Sequence, residues 1–163
     1  MQNEGVKPTL RPSSPDDLDF LFQLYASTRQ AEFAALGWDR AQMEPLLRMQ
    51  FSAQQHWYET AYAHKEQKIV MLGDAPIGRI ILDRAADAAT LVDISLLPAY
   101  RGQGIGGGLI RDLIACCRRQ KVRLRLQVLK TNPAARLYER LGFVRSAEDG
   151  MYWQMEKLPD EVY

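Results

Sequence analysis

The run Leu96-Leu97-Pro98-Ala99-Tyr100-Arg101-Gly102-Gln103-Gly104-Ile105-Gly106-Gly107-Gly108 joins an apolar strand to an apolar-faced helix through clustered glycines. Glycine in a helix costs about 1 kcal/mol relative to alanine, so glycines gathered at one helix entrance call for a backbone or packing reason. A strand that enters a helix through residues lacking side chains can aim several backbone N–H groups at one anion. A phosphate-bearing ligand is the leading inference. The run lacks the Gly-Lys-Ser or Gly-Lys-Thr ending of a nucleoside triphosphate loop. Nor do Gly102, Gly104 and Gly106, so far along the chain, form the dinucleotide fingerprint that follows an early strand.

The length of 163 residues, 47% of them hydrophobic, provides for one sizeable core and leaves little room for a second domain. With 21 Lys and Arg against 20 Asp and Glu, the formal charge of +1 gives no general electrostatic case for nucleic acid or an anionic membrane. Cys116 and Cys117 are adjacent in a predicted helix, where they suit neither a metal site nor a disulfide framework and read as reduced thiols. His56 and His64 have no companion cysteines at useful spacing, so no metal is expected. There is no basic secretion leader and no run near the roughly 20 apolar residues that span a bilayer, which makes a soluble cytoplasmic protein the default.

Residues 6–11 predict a first strand, and Ser13-Ser14-Pro15-Asp16-Asp17 supplies turn and helix-start residues. Leu18, Leu21, Phe22 and Tyr25 recur at helical spacing, while residues 30–38 read as an irregular connector. Asp39 is placed to cap a second helix from Arg40. Residues 69–72 and 77–82 predict a hairpin turning through Gly73-Asp74-Ala75-Pro76, and residues 91–97 a further strand. Beyond the glycines, Ile105, Leu109, Leu113 and Cys116 form a helical apolar series, and residues 122–128 alternate as a strand with one protected face. Asn132 and Pro133 resemble an N-cap and first helical residue, and Gly142 ends that helix. A turn at Glu148-Asp149-Gly150 separates short strands over 143–145 and 151–155. This order favours a mixed sheet flanked by helices.

The segment from Arg101 to Gly106, the preceding Leu96-Leu97-Pro98 and the later Asn132-Pro133-Ala134-Ala135-Arg136-Leu137-Tyr138-Glu139-Arg140-Leu141-Gly142-Phe143 together strongly resemble the GCN5-related N-acetyltransferase (GNAT) superfamily. The resemblance implies an α/β fold: a mixed, mostly antiparallel central sheet flanked by helices, in the order strand-helix-helix-strand-strand-strand-helix-strand-helix-strand-strand. It covers nearly the whole length, so a single acyltransferase domain over 1–163 is expected. It also narrows the ligand from a generic phosphate to acetyl-CoA as cosubstrate.

By that resemblance, Arg101, Gly102, Gln103, Gly104, Ile105 and Gly106 wrap the cofactor pyrophosphate and Gly107 extends the glycine-rich helix entrance. The Arg101 side chain either adds positive charge there or pairs locally. Leu96 and Leu97 match the strand end beside the thioester, where backbone groups orient the cofactor and polarise the acyl carbonyl. Asn132 matches a residue that contacts pantetheine, and also suits an N-cap; Ala135 falls in the same cofactor-binding segment. Tyr138 matches a tyrosine near the cofactor sulfur, suited to donate a proton to the departing thiolate, with packing against the sheet as its structural alternative.

Amine acetylation needs a neutral nucleophile, and a carboxylate can accept its proton. Asp93, interrupting an apolar strand just before the acyl-binding position, and Glu32, in the first helical connector, are the candidates for base or water-holding roles; either also suits a structural ion pair. For the acceptor, Trp38, Met49, Phe51 and Trp57 supply apolar surface and Gln50, Gln54, Gln55 and His56 supply polar contacts, unless they serve core or helix surface. Arg79, Asp83 and Arg84 suit either a charged rim or protection of a sheet edge.

The expected activity is direct acetyl transfer from acetyl-CoA to a primary amine of a small molecule or peptide. Cys116 and Cys117 lie too far along their helix, without a neighbouring histidine, to argue for a covalent intermediate. The alternatives are a noncatalytic acyl-CoA-binding regulatory protein, or acetylation of a protein amino terminus or lysine. No nucleic-acid or membrane partner is expected, and the assembly is expected to be a monomer or homodimer.

Overall fold

The computed structural model of the chain describes residues 6–159; residues 1–5 and 160–163, which the single-domain expectation includes, lie outside the described residues. The elements run β1 (Thr9–Pro12), α1 (Leu18–Ala35), α2 (Arg40–Ala61), β2 (Lys65–Leu72), β3 (Ala75–Arg84), β4 (Ala88–Leu96), α3 (Ile105–Gln120), β5 (Arg123–Leu129), α4 (Ala134–Arg140), β6 (Val144–Asp149) and β7 (Tyr152–Lys157). One sheet of order β1-β2-β3-β4-β5-β7-β6 holds all the strands. Every neighbouring pair is antiparallel except β4 with β5. The mixed, mostly antiparallel sheet and the helix placement are those expected of the resembled family.

Period-two alternation assigns the two faces of the sheet. Ile69 is fully buried with Phe22, Leu47 and Phe51 of α1 and α2, whereas its neighbour Val70 packs on the other face with Leu109 of α3. On β5, Leu124, Leu126 and Val128 point into the core beneath α3 and α4, as the alternation predicts. Burying one such side chain contributes about 1.5–3 kcal/mol, so the two apolar layers hold the helices in place on either side. Among the described residues, no helix is long and apolar enough to cross a membrane.

Several boundaries differ from the sequence reading: β1 is shifted to Thr9–Pro12, β2 starts at Lys65, β3 runs from Ala75 to Arg84 and β4 from Ala88 to Leu96. Three further differences concern a helix end and two turns. The connector expected at residues 30–38 is helical as far as Ala35, because Gln30, Ala31, Glu32, Ala34 and Ala35 are tolerant of helix and Phe33 buries its ring to anchor the turn. Gly37, at φ 73°, takes the left-handed conformation after the helix end. The β2–β3 hairpin turns on Gly73-Asp74 alone, since Ala75 already pairs with Leu72. The last hairpin turns at Gly150-Met151, so β6 reaches Asp149.

Two irregularities in β4 set up the site. Leu91 pairs with Leu82 and Asp93 with Ile81, leaving Val92 as an extra residue in a bulge. Such a bulge bends its strand. The parallel pairing with β5 covers only Ala88 to Leu91 against Arg123 to Leu126, and beyond it the two strands part while β4 continues to Leu96. The sheet is therefore open between the C-terminal ends of its two central strands.

Candidate active site

A cleft of about 980 Å³ occupies this opening. Its walls are the end of β4 (Ile94, Ser95 and Leu96), the loop and first turns of α3 (Tyr100 to Gly107, with Ile110 and Arg111), and the start of α4 (Asn132 to Ala134, with Leu137, Tyr138 and Arg140). Gln103 and Leu97 are missing from that lining. The α1–α2 pair contributes Thr28.

The register decides which β4 backbone groups are free. The Leu97 N–H donates to the Ile77 carbonyl at 2.8 Å, so it belongs to the β3 ladder. In an antiparallel pair, successive residues point their N–H and C=O groups alternately toward and away from the partner. Leu96, opposite Gly78, therefore turns its N–H away from β3 and into the gap left by β5. This corrects the expectation for Leu97, whose amide is spent in the sheet; the strand-end donor is that of Leu96. The Leu96 carbonyl accepts from Arg101 Nε at 2.9 Å. Of the two readings open for the Arg101 side chain, local pairing is the one observed.

Gly102 (φ 72°) and Gly104 (φ 83°) adopt backbone conformations that disfavour any side chain, and they bring the chain into α3. The Gly108 N–H makes the first helical bond, to the Gly104 carbonyl at 3.0 Å. The N–H groups of Ile105, Gly106 and Gly107 precede it in the first turn and have no intrahelical acceptor. All three residues line the cleft, with the positive end of the helix dipole behind them. Gln103 folds its side chain back to donate to the Ala99 carbonyl at 2.7 Å.

On the opposite wall, Asn132 Oδ1 accepts from the Ala134 N–H at 2.9 Å and so caps α4 while remaining exposed in the cleft. Ala135, expected at the cofactor, is 5% exposed and packs into the core; its neighbour Ala134 faces the cleft. The Tyr138 ring packs edge-on against Phe143 with centroids 5.7 Å apart. Its hydroxyl has no hydrogen-bond partner among the described residues. Burial, reinforced by the negative charge of Asp93, pushes the phenol up from its ordinary value and keeps it protonated.

Asp93 does not itself line the cleft. Its Oδ2 accepts from Arg79 Nε at 3.0 Å, from Arg79 Nη2 at 2.9 Å and from the Ser95 hydroxyl at 3.2 Å. Arg79, expected at a rim or edge, is instead 3% exposed inside the sheet layer. The bulge explains this inward placement, because it sends Asp93 and Ser95 to the α2 face together. Gln54 and Gln55 of α2 reach Arg79 with their side-chain carbonyls, at 3.5 and 3.4 Å. Tyr58 stands beside the pair and is pushed up to about 12 by burial and by Asp93.

Glu32 is not part of this constellation. It lies on α1 one turn beyond Thr28, 64% exposed and paired with Arg29 at 3.5 Å, and it does not line the cleft. The polar face it occupies is set by Phe33, which must point inward. Of the expected acceptor groups, Phe51 is core, Gln50 accepts from the Tyr25 hydroxyl at 3.3 Å, and Trp38, Met49 and Trp57 are exposed away from the lining. Burial pushes the Cys117 thiol up, against nucleophilic use.

Two contributors were overlooked. Ser95 carries the only hydroxyl on the β4 part of the lining, and its signal was the polar alternation Asp93-Ile94-Ser95 inside an apolar strand. Gly78 sits opposite Leu96, and a Cβ there would meet Leu96 Cδ2 at 2.6 Å as well as the Ser95 carbonyl. Its signal was a glycine inside an otherwise apolar strand, the mark of close backbone approach.

Comparison with known proteins agrees with this geometry. The chain is similar to the [Ribosomal protein bS18]-alanine N-acetyltransferase of Haemophilus influenzae, with 41% identity over 68 residues, which are 41% of this chain and 47% of that protein. The chain thus matches about half the length of this curated relative. Among solved structures, PaiA N-acetyltransferase from Thermoplasma acidophilum in complex with coenzyme A has a TM-score of 0.69 at 21% identity, covering 93% of this chain and 99% of that one. The ribosomal-protein-S18-alanine N-acetyltransferase from Escherichia coli has a TM-score of 0.60 at 20% identity, with 96% of each chain covered. These two likenesses concern the fold. The family model of the acetyltransferase (GNAT) domain matches residues 55–145, more than half of the sequence and the stretch that builds both walls of the cleft: this chain belongs to the GNAT acetyltransferase family.

Proposed function

We propose that the protein transfers the acetyl group of acetyl-CoA directly to a primary amine. The observation that carries this reading is the juxtaposition in one cleft of a free strand-end amide at Leu96, a turn of unpaired N–H groups at residues 105–107 and the unpartnered phenol of Tyr138. The pyrophosphate of the cosubstrate fits the helix entrance, where Gly102, Gly104, Gly106 and Gly107 leave the backbone bare. Its pantetheine arm runs between β4 and β5 in place of the missing strand pairing, with Asn132 and Ala134 on the far side.

The chemistry follows from that placement. The amine nitrogen forms a bond to the thioester carbonyl carbon, and negative charge grows on the carbonyl oxygen within reach of the Leu96 N–H. The carbon–sulfur bond then breaks. Tyr138, held protonated, supplies a proton to the sulfur, and the proton that the nitrogen sheds as the amide forms restores the phenol. Leu96 and Tyr138 therefore act at opposite ends of the bond that is exchanged.

A second reading concerns the acceptor. The similarity to the bS18-alanine N-acetyltransferase favours the α-amine of a peptide that begins with alanine. The test is incubation of the full chain with acetyl-CoA and, separately, a pool of small amines and a set of alanine-initiated peptides with free or blocked amino termini. Acetylated product by mass, with stoichiometric free coenzyme A, supports transfer; acetylation confined to free-terminus peptides selects the peptide reading. Tight coenzyme A binding without acceptor-dependent turnover points instead to a regulatory acyl-CoA binder.

A further inference from the structure

Among the described residues, two guanidiniums in the cleft have no partner. Arg111 of α3 and Arg140 of α4 both line it, and neither makes a hydrogen bond or an ion pair there. Their setting differs from that of Arg101, whose Nε is engaged by the Leu96 carbonyl. The acid beside Arg140 is no counterion for it, because Glu139 is held by Arg145 at 2.7 Å. Arg111 lies back over the bare turn at the head of its helix: a Cβ on Gly107 would stand 3.7 and 3.9 Å from its two terminal nitrogens. Any side chain longer than that of alanine at 107 would compete for this space. The glycine thus seats a cation as well as baring an amide.

Topology brings the second cation alongside the first. β4 and β5 are parallel, and α3 and α4 each leave the C-terminal end of one of them and run back along the sheet, so the two helices point the same way. They adjoin where Leu137 Cδ1 comes within 3.9 Å of the position a Gly107 Cβ would take. Arg111 and Arg140 follow Gly107 and Leu137 by four and three positions, which puts each on the same face one turn further on. Helical side chains lean towards the N-terminus, and both guanidiniums are carried back towards the phosphate turn. Two like charges facing one cleft repel each other until an anion comes between them.

We propose that Arg111 and Arg140 form a second anion site, which takes the 3′-phosphate on the ribose of coenzyme A and makes the protein select coenzyme A over its dephospho form. The inference rests on the acetyl-transfer reading and supplies a partner for the part of the cosubstrate which that reading leaves unbound. The N–H groups of residues 105–107 serve the pyrophosphate. The 3′-phosphate is a monoester carrying about −1.5 to −2 charges at pH 7, and it calls for side-chain cations. A planar guanidinium meets two of its oxygens at once, so a pair of them holds it from two sides. The contact lies away from the thioester and is the same before and during transfer. It therefore sets affinity for the cosubstrate and leaves kcat untouched.

The test is calorimetric titration of the full chain, in phosphate-free buffer, with coenzyme A and with dephospho-coenzyme A, which differ by that one group. Wild type binds coenzyme A about 10²-fold more tightly at about pH 8, the sum of two charge-assisted contacts. The advantage shrinks below about pH 6, where the monoester takes up its second proton. Arg111→Ala and Arg140→Ala each weaken coenzyme A binding about tenfold and leave dephospho-coenzyme A unchanged, and the double variant binds the two forms alike. Arg119→Ala removes the same charge from the exposed far end of α3 and leaves both affinities in place. A wild type that binds both forms equally, or a double variant that keeps the preference, overturns the second site and leaves acetyl transfer standing. Equal losses from all three single variants reduce the effect to net charge and overturn it as well. A wild type that binds neither form overturns the site together with the reading beneath it.

Discussion

Gly78→Ala is the sharpest test of how the strand end is positioned. The added Cβ would stand 2.6 Å from Leu96 Cδ2 and 3.3 Å from Leu96 Cα, and closer still to the Ser95 carbonyl oxygen. Carbon atoms settle at roughly 3.5–4.0 Å, so the β4 end must withdraw by about 1 Å. The leucine methyl can rotate aside, but the carbonyl cannot. The Ser95 C=O and the Leu96 N–H belong to one planar peptide group, so displacing the oxygen also swings the amide meant for the acyl carbonyl. Overpacking of this kind costs about 1–3 kcal/mol, equivalent to a fall of about 2–12 °C in Tm for a domain of this size. Loss of a well-aimed oxyanion donor costs about 10²–10³ in kcat. The expected variant is folded, modestly less stable, binds coenzyme A with little change and has lost most of kcat. Thermal melting, calorimetric titration with coenzyme A and steady-state kinetics measure the three quantities independently. A folded variant turning over within threefold of wild type refutes the claim that the Leu96 amide carries the charge.

Three further outcomes follow from the same geometry. Tyr138→Phe keeps the edge contact with Phe143 but removes the hydroxyl, and should lower kcat about 10²-fold at unchanged coenzyme A affinity, checked by kinetics alongside titration. Gly104→Ala meets no atom within 4 Å, so its effect is purely the strain of φ 83°, about 1–2 kcal/mol, read as a lower Tm and weaker coenzyme A binding. Asp17 is held near 2, below its usual 3.8, chiefly by hydrogen bonds from Arg11, so its stabilisation is complete above the unfolded value and disappears as pH falls through about 2. Urea midpoints of wild type and Asp17→Asn should accordingly differ at pH 7 and converge towards pH 2; a constant gap across that range removes this ion pair from the account of acid stability.

The parts of the site made of backbone were the most legible in the sequence. Glycines at 102 and 104 announce their geometry because side chains disfavour the positive φ they adopt, and the Asn132–Pro133 pair announces a helix start. The side chains were less legible because their direction depends on register. Nothing in the letters shows that Val92 bulges, yet that one residue decides that Asp93 and Ser95 face α2 and meet Arg79. Likewise Leu96 and Leu97 are equivalent in composition, and only pairing with Ile77 and Gly78 separates the spent amide from the free one. The setting of Glu32 was hidden by a helix boundary: α1 extends through Phe33, so Glu32 sits on regular helix and pairs with Arg29 one turn back.

The parting of β4 from β5 after Leu91 leaves the middle of the sheet stitched along only half its length. A ligand lying in that seam becomes, in effect, a temporary eighth strand, and its binding free energy is also folding free energy. Amides near the seam should therefore exchange with solvent quickly in the empty protein and slowly in the loaded one, so that the cosubstrate finishes the architecture that later consumes it.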